Sequence, residues 1–166
     1  MIVLVVGGTR SGKSEVAERA AARLGDDVTY VAMADARGDA DLATRIERHK
    51  ARRPASWSTV ERPADLATLL GSTAGVVLVD SLGSWVASTP ALTVDADALV
   101  RALQARDAPT VLVSEEVGMS VHPPTEVGRA FVDEVGALNR AVAGVADEVW
   151  FVVAGRALRL PAEGEG

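Results

Sequence analysis

Short β-branched apolar runs alternate along the whole chain with stretches in which apolar residues recur every three or four positions. The first pattern suits a buried strand and the second a helix with one buried face. The runs predict strands near Ile2–Val6, Val28–Ala32, Trp57–Val60, Val76–Asp80, Thr110–Ser114 and Glu148–Val153. Helical spacing is carried by Val16 and Leu24 with the alanines between them, by Leu66, Leu69 and Leu70 behind a first-turn Pro63, and by Leu99, Val100 and Leu103. A further helix, from about Thr125 to Val145, carries Val127, Phe131, Val135, Leu138 and Val142. Gly128, Gly136 and Gly144 interrupt that pattern and are read as points of close helix packing. Strand and helix in alternation imply βα units, hence an α/β fold with a mostly parallel central sheet flanked by helices. Met33–Asp39 and Gly83–Thr93 fit neither period, and both follow strands, where ligand-binding loops of open α/β sheets are expected.

At 166 residues the chain is about one domain long. With no linker or repeat, it is expected to be a single domain, 1–166, whose last residues, Glu163–Gly166, are a frayed end. Hydrophobic residues make up 48% and charged residues 24%, with mean hydropathy +0.18, which fits a soluble globular protein. No apolar run reaches the roughly 18 residues of a spanning helix, so no membrane insertion is expected. The lack of cysteine removes disulfides, thiolate metal sites and cysteine nucleophiles together, and suits the cytoplasm. A net charge of −6 argues against nucleic acid as a partner, so any basic patch that binds phosphate must be local.

Gly7-Gly8-Thr9-Arg10-Ser11-Gly12-Lys13-Ser14 satisfies G-x-x-x-x-G-K-[ST] and stands between an apolar strand and a helix, the context that phosphate binding by this motif requires. The glycines allow successive N–H groups to converge on a phosphate, Lys13 reaches the outer phosphates, and the Ser14 hydroxyl can hold Mg²⁺. A second magnesium ligand is expected at the end of a neighbouring buried strand, where Asp80 closes Val76–Asp80; the bland alternative for Asp80 is a helix N-cap. Asp80-Ser81-Leu82-Gly83 also reads as D-x-x-G, a signature of GTP-dependent switches, although no N-K-x-D is present to select guanine.

His49 lies in Arg45-Ile46-Glu47-Arg48-His49-Lys50-Ala51-Arg52-Arg53, five cations in nine residues of an acidic protein. A solvated helix face explains such a run, and so does a packed histidine, since Leu42, Ile46 and His49 share a helical face. The functional alternative is that the cations neutralise a polyphosphate while their field disfavours the imidazolium, leaving His49 neutral and able to attack phosphorus. His122, beside Pro123-Pro124, reads as a loop histidine.

These motifs, together with Arg53-Pro54-Ala55, Trp57, Glu116-Val117-Gly118-Met119 and Ala146-Asp147-Glu148-Val149-Trp150, resemble the bifunctional adenosylcobinamide kinase / adenosylcobinamide-phosphate guanylyltransferase family of cobalamin biosynthesis. The resemblance implies a RecA-like P-loop fold and a homotrimer. Its substrates would be adenosylcobinamide and adenosylcobinamide phosphate, with ATP and GTP as nucleotides. His49 would be the residue that becomes guanylylated. It also implies nucleotide contacts at Ala32, Met33, Ala34, Lys50, Ala51, Arg52, Arg53 and Glu61. Asp80, where some members have Glu, is a shorter metal ligand, and Glu115 stands where some members have Asn. Asp80 and Glu116 are the candidates to orient the hydroxyl in the kinase step. The alternatives are a monofunctional small-molecule kinase, in which the cations of the His49 segment act only as a phosphate lid, and a GTP-dependent switch.

Overall fold

Strands β1 (Ile2–Gly7), β2 (Val28–Ala32), β3 (Ser58–Glu61), β4 (Val76–Asp80), β5 (Thr110–Glu115), β6 (Glu148–Val153) and β7 (Arg156–Leu160) form one sheet in the order β3-β2-β4-β5-β1-β6-β7. The coordinates are a computed structural model, and the structure describes residues 1–35, 44, 46–47, 50–51, 53–119 and 121–162. All neighbouring strands run parallel except β6 and β7. The helices α1 (Lys13–Leu24), α2 (Leu66–Ser72), α3 (Leu82–Ser88), α4 (Ala96–Ala105) and α5 (Glu126–Ala143) accompany the sheet.

Successive strand side chains point to opposite faces, and here both faces are covered. Val3, Val5, Tyr30, Leu78, Val111 and Val113 meet Val16, Ala17 and Ala21 of α1. Leu4, Val31, Val77, Val79 and Leu112 meet Leu66 and Leu70 of α2, Leu82 and Val86 of α3, Leu99 and Leu103 of α4, and Val135, Leu138 and Val142 of α5. Double coverage explains why the central strands are unbroken apolar runs. From β1 the chain passes through α1 to β2 on one side, and from β5 it passes through α5 to β6 on the other. The order therefore reverses beside β1, and the crevice outside the carboxyl ends of β1 and β5 is the expected ligand site.

The structure departs from the sequence expectations in several places. α2 starts at Leu66 behind Asp65, whose carboxylate accepts from the Thr68 N–H; Pro63 is outside the helix, because the Asp cap defines the first turn. The stretch expected as a loop from Gly83 begins inside α3, which Ser81 caps and which buries Leu82 and Val86; seven residues are too few to display a helical period. β7 was not anticipated. It follows a two-residue turn, Ala154 (φ 51°) and Gly155 (φ 75°), with alanine where asparagine or aspartate is the usual signal, and it is exposed along its length. In α5 a Cβ on Gly128 would lie 2.8 Å from Pro123 Cβ and 2.9 Å from Thr125 Oγ1, so this glycine makes room for the loop and cap that lead into its own helix rather than for a second helix. Gly136 faces open space instead, and Gly144 is the residue at which α5 ends. Residues 36–39 and 163–166 lie outside the described residues.

Candidate nucleotide site

β1 delivers the chain to the glycine-rich loop at Gly7, where a Cβ would stand 2.5 Å from Ser11 Oγ and 2.7 Å from the Val152 carbonyl oxygen. Only glycine fits there with the loop in place. The Ser11 N–H donates to the Gly8 carbonyl at 3.2 Å, Thr9 and Arg10 form the exposed tip, and Gly12 (φ 91°) is the N-cap of α1. Having no side chain, Gly12 leaves the first-turn N–H groups facing the loop mouth, where the helix dipole adds positive potential. The β6–β7 turn braces the far side: the Gly155 N–H donates to the Ser11 carbonyl at 2.8 Å.

Lys13 is largely buried and folds back over the loop, its Nζ 3.5 Å from the Gly8 carbonyl and 3.6 Å from Glu115 Oε1. Ser14, half-buried, follows in the first turn of α1. Glu115 ends β5 directly opposite Gly7 of β1. Its carboxylate accepts from Ser81 Oγ at 2.8 Å and from the Gly83 N–H at 3.0 Å, so it joins the glycine-rich loop to the start of α3. A Cβ on Gly83 would collide with that carboxylate. The glycine of D-x-x-G is thus occupied inside α3 as a seat for Glu115, rather than as a free switch. Sequence reasoning noted Glu115 only as a departure from a family pattern. Its signal was its place at the end of a buried strand adjoining the glycine-rich one. Glu116 differs: its carboxylate accepts from the Gly118 and Met119 N–H groups at 2.9 and 3.1 Å and so is taken up by its own loop.

Asp80 ends β4, and it is Ser81, not Asp80, that caps α3. The buried Tyr30 hydroxyl donates to Asp80 Oδ2 at 2.6 Å. Burial, and then the Asp80 charge, push the phenol far above its ordinary range, so Tyr30 stays the donor. Above the Tyr30 ring lies the Arg53 guanidinium, 3.2 Å from the ring centroid, and its buried Nε and Nη1 find no hydrogen-bond partner among the described residues. Arg53, Pro54 and Trp57 line a cleft of about 320 Å³ against Glu15, Glu18 and Arg19 of α1. Buried, unpartnered guanidinium nitrogens beside a cleft suit an anionic ligand.

The other residues implied by resemblance are placed as follows. Ala32 and Ala34 are half-buried, and the Met33 side chain is in the core, its N–H donating to the Asp80 carbonyl at 2.9 Å, so Met33 can offer a ligand only its backbone. Thr44, Ile46, Glu47, Lys50 and Ala51 are helical; Lys50 is exposed, with its Nζ 3.3 Å from Glu61 and 3.5 Å from Glu47. The bond to Glu61 raises the Lys50 pKa above the ordinary lysine value, with both carboxylate charges adding to it. His49, Arg45, Arg48 and Arg52 lie outside the described residues. His122 is exposed in the loop before α5.

Among the described residues no group of three or more His, Cys, Asp or Glu could cage a metal. Magnesium in nucleotide sites needs no such cage: one or two protein oxygens, phosphates and water complete its octahedron. The Ser14 hydroxyl and the Asp80 carboxylate, an all-oxygen pair with one carboxylate oxygen anchored by Tyr30, fit a magnesium ion that arrives with a nucleotide.

The family model described as cobinamide kinase / cobinamide phosphate guanyltransferase matches residues 3–160. A relative from Pseudomonas aeruginosa, the bifunctional adenosylcobalamin biosynthesis protein CobP, is 42% identical over 171 residues, spanning 98% of this chain and 97% of its own length. The bifunctional adenosylcobalamin biosynthesis protein CobU of Escherichia coli is 35% identical over 184 residues, spanning 96% of this chain and 99% of its own. Among solved structures, the chain resembles a KaiC-like protein from Pyrococcus horikoshii with a TM-score of 0.50 at 17% identity, over 90% of this chain and 69% of that one. It also resembles an ATPase from a bacterial type III secretion system with a TM-score of 0.53 at 12% identity, over 90% of this chain and 50% of that one. At these identities the structural likeness is one of fold alone.

Proposed function

We propose, from the premise that this chain belongs to the cobinamide kinase / cobinamide phosphate guanyltransferase family, a division of labour among its residues for the two reactions of that family. In the first, a hydroxyl of adenosylcobinamide attacks the γ-phosphorus of ATP or GTP. The bond from that phosphorus to the β-phosphate breaks, and the nucleoside diphosphate leaves. The glycine-rich loop N–H groups and Lys13 hold the triphosphate and offset the charge that develops on it. Glu115, rather than Glu116, receives the hydroxyl proton: its carboxylate stands beside Lys13 at the phosphate-holding loop, whereas that of Glu116 turns into its own loop. Ser14 and Asp80 hold magnesium, which neutralises phosphate charge when bound.

In the second reaction a ring nitrogen of His49 attacks the α-phosphorus of GTP, the bond to the β-phosphate breaks, and pyrophosphate leaves. A phosphate oxygen of adenosylcobinamide phosphate then displaces His49 from the guanylyl phosphorus, giving adenosylcobinamide-GDP. Arg53 and its neighbours Lys50 and Arg52 neutralise the polyphosphate, with Ala32, Ala34, Ala51 and Glu61 as further nucleotide neighbours. The observation that carries the reading is the convergence of Lys13, Asp80 and Glu115 at the carboxyl ends of β1, β4 and β5, in a chain matched by the family almost end to end. A homotrimer in the cytoplasm completes the proposal; Leu158 and Leu160, exposed on β7, offer apolar surface for such an assembly to cover, and light scattering tests it. Among the described residues no helix is long and apolar enough to cross a membrane.

Incubation with GTP labelled at the α-phosphate tests the transferase half. Label that survives denaturation, is lost in acid and persists in base is expected of a phosphoramidate. His49→Ala should abolish it while kinase turnover persists. Label retained by His49→Ala would remove His49 from the mechanism, and no label at all would leave a plain kinase.

A further inference from the structure

The residues assigned above to magnesium and to the nucleotide are bridged by one side chain to which the two reactions assign nothing. Tyr30 sits in the middle of β2, paired with Leu78 of β4, two residues before the Ala32–Asp80 pair. Residues two apart on a strand share a face, so Tyr30, Leu78 and Asp80 all project toward α1, the helix that begins with Lys13 and Ser14. The Tyr30 ring is packed among Val28, Val76 and Leu78 in the core under α1, and its hydroxyl emerges at Asp80 Oδ2, 2.6 Å away. On the ring lies the Arg53 guanidinium, 3.2 Å from the centroid. By sequence, Arg53 closes the basic run that holds His49.

We infer that Tyr30 is a positioning residue for both chemistries: its hydroxyl fixes the orientation of the Asp80 carboxylate toward the nucleotide, and its ring seats Arg53. The inference rests on the assignment of magnesium to Asp80. An aromatic side chain has two rotatable torsions and loses little freedom when packed, so a buried tyrosine is a stiff post. With Oδ2 bonded to the phenol, the carboxylate is held against rotation about its own bond. Loss of a partner that fixes a metal ligand in this way typically costs about 10–100-fold in metal affinity or activity. A phenol that merely required an acceptor would leave metal affinity unchanged when removed.

Tyr30 is the only tyrosine in the chain, so protein labelled with tyrosine carrying ¹³C at Cζ gives a single resonance for it. In the full-length protein bound to a non-hydrolysable GTP analogue, titration with Mg²⁺ should move that resonance with the same midpoint as calorimetric metal binding. The movement should vanish in Asp80→Asn. Tyr30→Phe keeps the ring beneath Arg53 and deletes only the hydroxyl. It should raise the half-saturating Mg²⁺ concentration by about 10–100-fold, leave analogue binding in EDTA unchanged, and recover kinase kcat at high Mg²⁺. A resonance that stays still while metal binds, or wild-type metal affinity in Tyr30→Phe, overturns the role of Tyr30 and leaves that of Asp80 standing. Wild-type metal affinity in Asp80→Asn overturns both. The resonance is read on the unaltered protein, so poor folding of a variant does not shield the inference.

Discussion

Two lysines at the carboxyl edge of the sheet are held in opposite ways. Lys13 is largely buried between a loop that admits only glycine at Gly7 and a carboxylate, Glu115, that is itself bonded to Ser81 and Gly83. Lys50 is exposed, and its partners among the described residues are Glu61 and Glu47. The first arrangement is anchored in core strands, so the triphosphate end is built before any ligand arrives, which limits the reorganisation that catalysis requires. The second is a surface charge network, which salt screens and which contributes little to stability. A shared edge thus combines a rigid phosphate holder with an exposed lysine held by surface charges.

The sharpest way to break the comparison is to remove the rigid partner. Lys13→Ala should lower kcat/KM of both half-reactions by at least about 10²–10³-fold, measured by nucleotide turnover and by α-label transfer. Retention of either activity would mean that the two nucleotides use separate sites. Next in size is Glu115→Gln, which preserves shape and removes charge. If Glu115 takes the hydroxyl proton, kinase kcat falls by about 10²-fold or more, while guanylylation of the protein changes far less; equal losses would reduce Glu115 to an anchor for Lys13. The smallest effect belongs to the surface pair. Glu61→Gln should change stability by less than about 1 kcal/mol in urea denaturation, and its effect on guanylylation rate should fade as salt rises. The sign of the pH dependence follows from the raised Lys50 pKa. This contribution is fully present below the ordinary lysine value and is lost only as pH rises through the raised one, so across pH 6–9 salt should matter to this pair and pH should not.

Much of this site was legible along the chain. The glycine-rich motif, its strand and its helix came from consecutive residues, and Asp80 was visible as the acidic end of an apolar run. Glu115 was not, because the feature that distinguishes it from Glu116 is the direction of its side chain: the register of β5 against β1 sets Glu115 opposite Gly7, while Glu116 turns into its own loop. Tyr30 was hidden for the same reason. In sequence it is one more bulky residue of a buried strand, and its hydroxyl gains meaning only when β2 lies beside β4.

The sequence by itself determined the period of each central strand and of the longer helices, the α/β class, the phosphate-binding loop and the family, since all of these are written in residues near one another along the chain. The tertiary structure alone decided which carboxylate faces Lys13, which hydroxyl holds Asp80, and that the β6–β7 turn braces the loop through Gly155 and Ser11. Those contacts join residues distant in sequence, and strand order and register, products of how the whole core packs, bring them together.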